Sequence, residues 1–234
     1  MRLVKPKALL VDAGGTIYTE GGHPLEGRAS ALKKAFPDLS AADCLRLAQL
    51  LQTSTMAALR GGVQHSDAMT QQVLSAFSPD RDLGAAAVRA AMVESMYGAT
   101  QAFHGAADLL HKAKNLGLIT VLVTDTTWHS EADTWTRVAK MGLTTDLDHV
   151  ISTFELGTRK PDLRVFHAAL DKAGTAASES VMAGDSETAD VLPAATLGMA
   201  TIRVTVQYPL EENTIANATA ATLAEVAEIL RRWC

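Results

Sequence analysis

Cysteine is nearly missing from this chain of 234 residues, and the two present, Cys44 and Cys234, supply neither a disulfide framework nor the spacing of a thiolate metal site. The expectation is a reducing, cytoplasmic setting. No stretch approaches the roughly 18 consecutive apolar residues that a membrane-spanning helix needs. No run of Lys or Arg marks a nucleic-acid footprint. Neither a membrane nor a nucleic acid is therefore expected as a partner. Arg2, Lys5 and Lys7 before an apolar stretch have the outline of a secretion signal. That stretch is cut short at Asp12 and no small-residue cleavage pattern follows, so it is expected to be a first core strand. Without a secretory signal, Asn217-Ala218-Thr219 is expected to match a glycosylation acceptor by chance.

What remains is the profile of an ordinary globular protein: net charge -5, 20% charged residues, and enough length to bury a sizeable core. Ala8-Leu9-Leu10-Val11 is an apolar strand that runs into Asp12-Ala13-Gly14-Gly15-Thr16. A strand emptying into glycines sets the Asp12 carboxylate at the carboxyl edge of a sheet, where bare backbone can approach a ligand or metal. Val121-Leu122-Val123 repeats the pattern and ends in Thr124-Asp125, and Val181-Met182-Ala183 ends in Gly184-Asp185-Ser186. Ala200 to Val206 reads as a further strand, with a shorter one at Leu147 to Ser152. Helical patterns between the strands predict a parallel sheet covered on both faces. One helix is legible at Ala106–Leu116, stopped by Gly117, and a last one at about Leu223–Arg232.

Between Thr16 and Phe103 no strand is legible. Helices are predicted from Ser40, with Leu45, Leu47, Leu50 and Leu51 as its apolar positions, from Ser66, and over Ala85–Met96. Lys33 and Lys34 fall on another short helix with Leu32 and Phe36.

In chain order, Asp12, Thr124, Arg159-Lys160-Pro161-Asp162 and Gly184-Asp185 with Asp190 five positions on resemble the four motifs of the haloacid dehalogenase-like superfamily of hydrolases. The resemblance covers almost the whole chain. It implies an α/β fold: a three-layer, Rossmann-like core over residues 1–17 and 101–234, with an all-helical cap inserted at 18–100. It also implies a nucleophilic Asp12, with Thr124 and Lys160 as catalytic ligands of a phosphoryl group. Gly15 and Asp125 would join Thr124 and Lys160 around the substrate. Mg²⁺ would be bound by Asp12, Asp185 and the Gly14 carbonyl, and Asp190 and Thr16 would support the site. The implied substrate is a small phosphorylated metabolite.

The departure is Gly14, where phosphatases of the family carry a second Asp that protonates the leaving alcohol. Such acid-base help is worth roughly 10²- to 10⁴-fold. His129, His23, Glu20 and, from the cap, His65 are the candidate replacements. Two other readings stay open: a catalytically impaired phosphate-binding or regulatory protein, and a specialised reaction with a good leaving group. Phosphonate cleavage belongs to the latter and needs a cap lysine, for which only Lys33 and Lys34 are available.

Overall fold

The structure is a computed structural model that describes residues 5–19, 25–97, 100–209 and 213–234. Six strands form one sheet: β1 (Ala8–Asp12), β2 (Ile119–Thr124), β3 (His149–Ser152), β4 (Ser180–Gly184), β5 (Ala200–Val204) and β6 (Ala218–Ala220). Their order is β3-β2-β1-β4-β5-β6, and every pairing is parallel. This is the Rossmann-like α/β arrangement expected. Strand order reverses beside β1, so the loops after β1 and β4 diverge and open a crevice at the carboxyl ends of the strands. β5 stops at Val204, short of the expected Val206, and the three-residue β6 was not foreseen, because Ala218-Thr219-Ala220 has too little apolar content to stand out.

The pleat divides the strand residues between two apolar layers. Leu9, Val11, Leu122, Val181 and Ala183 pack against α5 (Ala106–Asn115) and α10 (Leu223–Trp233). Leu10, Val121, Val123 and Met182 face α8 (Leu163–Ala173) and Ala194 of α9 (Leu192–Thr196). Helices α6 (Glu131–Lys140) and the short α7 (Thr153–Leu156) lie on either side of β3 in the chain. Ser130 opens α6 with a reciprocal capping box through Asp133. Gly117 follows α5 with φ +79°, as the stop signal predicted.

Residues 25–97 are built of helices: α1 (Leu25–Ala35), α2 (Ala41–Arg60), α3 (Asp67–Phe77) and α4 (Ala85–Tyr97). Ser40 and Ser66 cap α2 and α3, their hydroxyls accepting from Asp43 N and Met69 N. These helices share a separate apolar cluster centred on Leu32, Leu47, Leu51, Leu74, Val88 and Met92, which Trp128 from the loop after β2 joins. The expected stripe on α2 needs a correction: Leu47 and Leu51 are buried, whereas Leu45 and Leu50 are each 38% exposed. Two leucines three or four residues apart suffice to dock a helix with one narrow face, and the other two lie off that face. Among the described residues no helix is long and apolar enough to cross a membrane.

Candidate active site

Three strand ends bring the chemistry together. Asp12 is the last residue of β1, Thr124 the last of β2, and Asp185 follows β4 directly. The turn after β1 is tied by the Ala13 carbonyl, which accepts from Ile17 N and Tyr18 N at 2.9 and 3.1 Å. Thr16 Oγ1 donates to Asp12 Oδ2 at 2.8 Å and Lys160 Nζ donates to Asp12 Oδ1 at 2.6 Å. Both oxygens of this buried carboxylate are thus oriented, one by Thr16 and the other by Lys160.

Lys160 also donates to Asp190 Oδ1 at 2.7 Å. The ammonium is 3% exposed and its partners 7% and 1%. Burial pulls its pKa down, yet Asp12, Asp190 and Asp125 outweigh this and hold it well above the ordinary lysine value. Burial pushes Asp190 up to about 6, against the opposing pull of Lys160. Asp190 sits in a π-helical turn (Glu187–Val191), and its other oxygen accepts from Ser186 N at 3.0 Å. π-turns of this kind gather at functional sites. Of the two supporting roles that the sequence left to Asp190, the structure shows the contact with Lys160.

One oxygen from each of Asp12, Asp185 and Asp190 falls in a group whose members all lie within 4.8 Å of one another. An all-carboxylate donor set of this kind matches the hard, oxygen-seeking chemistry of Mg²⁺. Gly15 makes the approach of Asp185 possible. At φ +79° a Cβ on Gly15 would collide with the Asp185 carboxylate. The Gly15 N–H donates to the Tyr18 carbonyl at 2.9 Å, within the turn.

A cavity of about 340 Å³ opens beside this cluster. Gly14, Thr124 and the loop from Asp125 to His129 form one side of it, and Arg28, Thr55, Met56, Leu59 and Met96 of the helical segment the other. Asp125 lines the cavity, and its carboxylate accepts from Lys160 N at 3.0 Å and from Arg159 Nη2 at 3.3 Å. The loop carrying Thr126 and His129 is pinned by hydroxyls. Ser152 Oγ and Thr126 Oγ1 donate to the His129 carbonyl at 2.6 and 2.8 Å, and Thr153 Oγ1 accepts from Thr126 N. Gln64 reaches across to the Thr126 carbonyl at 2.6 Å.

His129 is buried and lines the cavity with Gly14, whereas His65 does not line it. The His65 ring bonds Thr70 Oγ1 at 3.0 Å and packs on Trp128 with centroids 4.4 Å apart. Burial lowers its pKa, so it is held neutral. Glu20 and His23 lie outside the described residues. Lys33 Nζ donates to the carbonyls of Pro37 and Leu39, and neither it nor the exposed Lys34 lines the cavity. Among the described residues no lysine lines the cavity. Sequence reasoning missed Arg28, Arg137 and Gln64, for which isolated polar residues on helices and loops gave no signal.

Residues 6–198 match the protein family described as haloacid dehalogenase-like hydrolase. The chain belongs to this family. The haloacid dehalogenase-like chain is 31% identical over 124 residues to glyceraldehyde 3-phosphate phosphatase of Methanocaldococcus jannaschii, covering 52% of this chain and 53% of that protein. It is 32% identical over 97 residues to the protein of that name from Methanothermobacter thermautotrophicus, covering 42% and 40%. The matches therefore span about half the length of these relatives or less. In three dimensions it resembles a phosphatase of the family from Thermococcus onnurineus, with a TM-score of 0.65, 23% identity and coverage of 96% and 97%. It also resembles 2-haloacid dehalogenase from Pseudomonas syringae, with a TM-score of 0.69, 19% identity and coverage of 98% and 100%. At these identities the structural likeness establishes the fold.

Proposed function

We propose that the protein is a Mg²⁺-dependent phosphomonoester hydrolase of a small phosphorylated metabolite, acting through Asp12. The observation that carries this reading is the buried Lys160 ammonium held between Asp12 and Asp190, beside a cavity of metabolite size. Phosphoryl transfer asks the protein mainly for positioning and charge stabilisation. Asp12, oriented by Thr16 and Lys160, attacks phosphorus, and the ester P–O bond breaks to give an aspartyl phosphate and an alkoxide that takes up a proton. Water then attacks phosphorus and releases phosphate, restoring the Asp12 carboxylate. Lys160 offsets the charge gathering between Asp12 and the phosphoryl oxygens, and the Thr124 hydroxyl donates to one of them. Asp12, Asp185 and the Gly14 carbonyl would hold Mg²⁺, which when bound neutralises the phosphoryl group and its transition-state charge.

Gly14 has no side chain to protonate the leaving alkoxide. We assign that proton to His129, which shares the cavity wall with Gly14. The helical segment, residues 18–100, acts as a cap that excludes water from the site. Support comes from the cavity itself, whose walls are drawn from that segment and from the strand ends together.

The experiment is hydrolysis of an activated aryl phosphate and of a panel of alkyl phosphates, with Mg²⁺ and with chelator, by wild type, Asp12→Asn and His129→Gln. Wild-type turnover is expected to need Mg²⁺ and to vanish in Asp12→Asn. His129→Gln is expected to lose about 10²-fold or more on alkyl esters and far less on the aryl ester, whose leaving group needs no proton. Phosphate binding without turnover in any arm would replace this reading with a phosphate-binding protein.

A further inference from the structure

The cavity carries two cations that the chemistry at Asp12 does not use. Arg137, in the last turn of α6, is only 8% exposed. Its guanidinium lies over the Tyr18 ring, 5.4 Å from the centroid, and Nη1 donates to the Tyr18 hydroxyl at 3.2 Å. Its Nε is buried and makes no hydrogen bond among the described residues. Arg28 of α1 lines the same cavity from the helical segment, and its Nε is likewise buried without a partner among the described residues. Burial lowers the Arg28 pKa, and among the described residues no carboxylate offsets this.

Elsewhere in the fold, partly buried arginines find acids: Arg89 meets Asp133 at 2.8 Å and Arg159 meets Asp125 at 3.3 Å. Neither Arg28 nor Arg137 has an ion-pair partner among the described residues. Among the described residues the one carboxylate lining the cavity, Asp125, is already engaged by Arg159 and the Lys160 amide. A buried and a partly buried guanidinium with no counter-charge among the described residues are costly unless a ligand supplies the anion. They come from different parts of the fold and share one cavity with Gly14 and Thr124. A molecule with its phosphoryl group at Thr124 and Asp12 would extend its far end between them.

We propose that the substrate carries a second oxyanion, a carboxylate or a second phosphate, at the end remote from the scissile ester, and that Arg28 and Arg137 bind it. This rests on the reading of Asp12 as the phosphoryl-accepting group, which fixes the orientation of the substrate. Planar guanidinium forks suit both oxyanions. A volume of about 340 Å³ limits the substrate to a few carbons between its two charged ends. Such a molecule differs from glyceraldehyde 3-phosphate, for which the curated relatives are named, because the far end of that compound is uncharged.

The test measures kcat/KM of the Mg²⁺-loaded protein on three matched phosphomonoesters: glycerol 3-phosphate with a neutral far end, 3-phosphoglycerate with a carboxylate, and propane-1,3-diol bisphosphate. Wild type is expected to prefer one of the two anionic compounds over the neutral one by about 10- to 100-fold, which also tells carboxylate from phosphate. In Arg137→Gln and in Arg28→Gln that preference falls towards unity, chiefly through KM, and Arg137→Lys recovers part of it. Binding of the three compounds to the Asp12→Asn protein, followed by Trp128 fluorescence or thermal shift, gives a readout independent of turnover. Arg-dependent binding of the anionic compounds with no turnover in wild type would sustain this inference and remove the hydrolase reading. Turnover with a preference for the neutral ester, or a preference unchanged in both Gln variants, would overturn the inference and leave the hydrolase reading standing.

Discussion

Replacing Lys160 with methionine keeps the length and apolar stem of the side chain and removes only the charge. In the wild type that charge lies 2.6 Å from one carboxylate and 2.7 Å from another, both almost fully buried. Taking one partner out of a buried ionic cluster costs about 3–5 kcal/mol, because the charges left behind keep their desolvation penalty without compensation. For a chain of this size each kcal/mol corresponds to about 2–4 °C in Tm, so Lys160→Met is expected to melt about 6–20 °C below wild type near pH 7.5. The pH dependence carries the more specific signature. The raised Lys160 pKa means that its contribution is complete throughout the neutral range and is lost only as pH rises through the folded value. Without Lys160, only the Ser186 N–H still opposes the upward push of burial on Asp190, so this group takes up a proton at higher pH. The deficit relative to wild type should therefore be largest near pH 8 and shrink towards pH 5. Asp190→Asn placed in the Lys160→Met background should recover part of the loss, giving a positive coupling energy in a double-mutant cycle. Thermal melts by circular dichroism across this pH range measure both effects. A Tm within 2 °C of wild type, or a deficit that does not change between pH 5 and 8, would refute the argument that the buried triad is held together by charge.

Three further outcomes are expected. In Gly184→Ala the new Cβ would stand 2.5 Å from Asp190 Cγ and Oδ2. Asp190 must then leave Lys160 and Ser186 N, with a loss of about 1–3 kcal/mol in urea unfolding and a fall in turnover. Asp148 accepts from Lys114 Nζ and from Thr120 N at the head of β2. Burial raises its pKa, but these bonds outweigh that and hold it below the ordinary value, so its contribution is present at neutral pH and is lost as pH falls through the lowered folded value. Asp148→Asn should cost about 1–2 kcal/mol at pH 7, with the difference closing in acid, as read by denaturant titration at several pH values. Gly14→Asp in a His129→Gln background should restore about tenfold or more of the turnover on alkyl phosphates. No restoration would mean that His129 does not supply the proton.

The motif residues were legible because each stands at a point of local contrast, where an apolar run gives way to glycine or to a single polar side chain. Asp12, Thr124, Lys160, Asp185 and Asp190 were all found this way, and so were the parallel sheet and the helical interval between its first two strands. Residues whose importance comes from what lies across a cavity were not legible. Nothing local singles out Arg137 in the sequence, and only the docking of α6 against the Tyr18 turn shows that its guanidinium is buried. Asp125 and Gly15 were read as substrate contacts because they adjoin motif residues. In the fold the Asp125 carboxylate also accepts from the Lys160 amide and the Gly15 amide donates to Tyr18, pairings that the sequence did not show.

Sequence by itself determined five of the six strands and the chemical inventory at the strand ends, since periodicity and turn chemistry are local properties of the chain. Tertiary structure alone decided which charges neutralise one another. It places Lys160 between two acids that lie 148 and 30 positions away along the chain, and it leaves Arg28 and Arg137 facing a cavity without such partners among the described residues. Electrostatic pairing depends on distance and burial, and a linear sequence specifies neither until the sheet has brought its ends together.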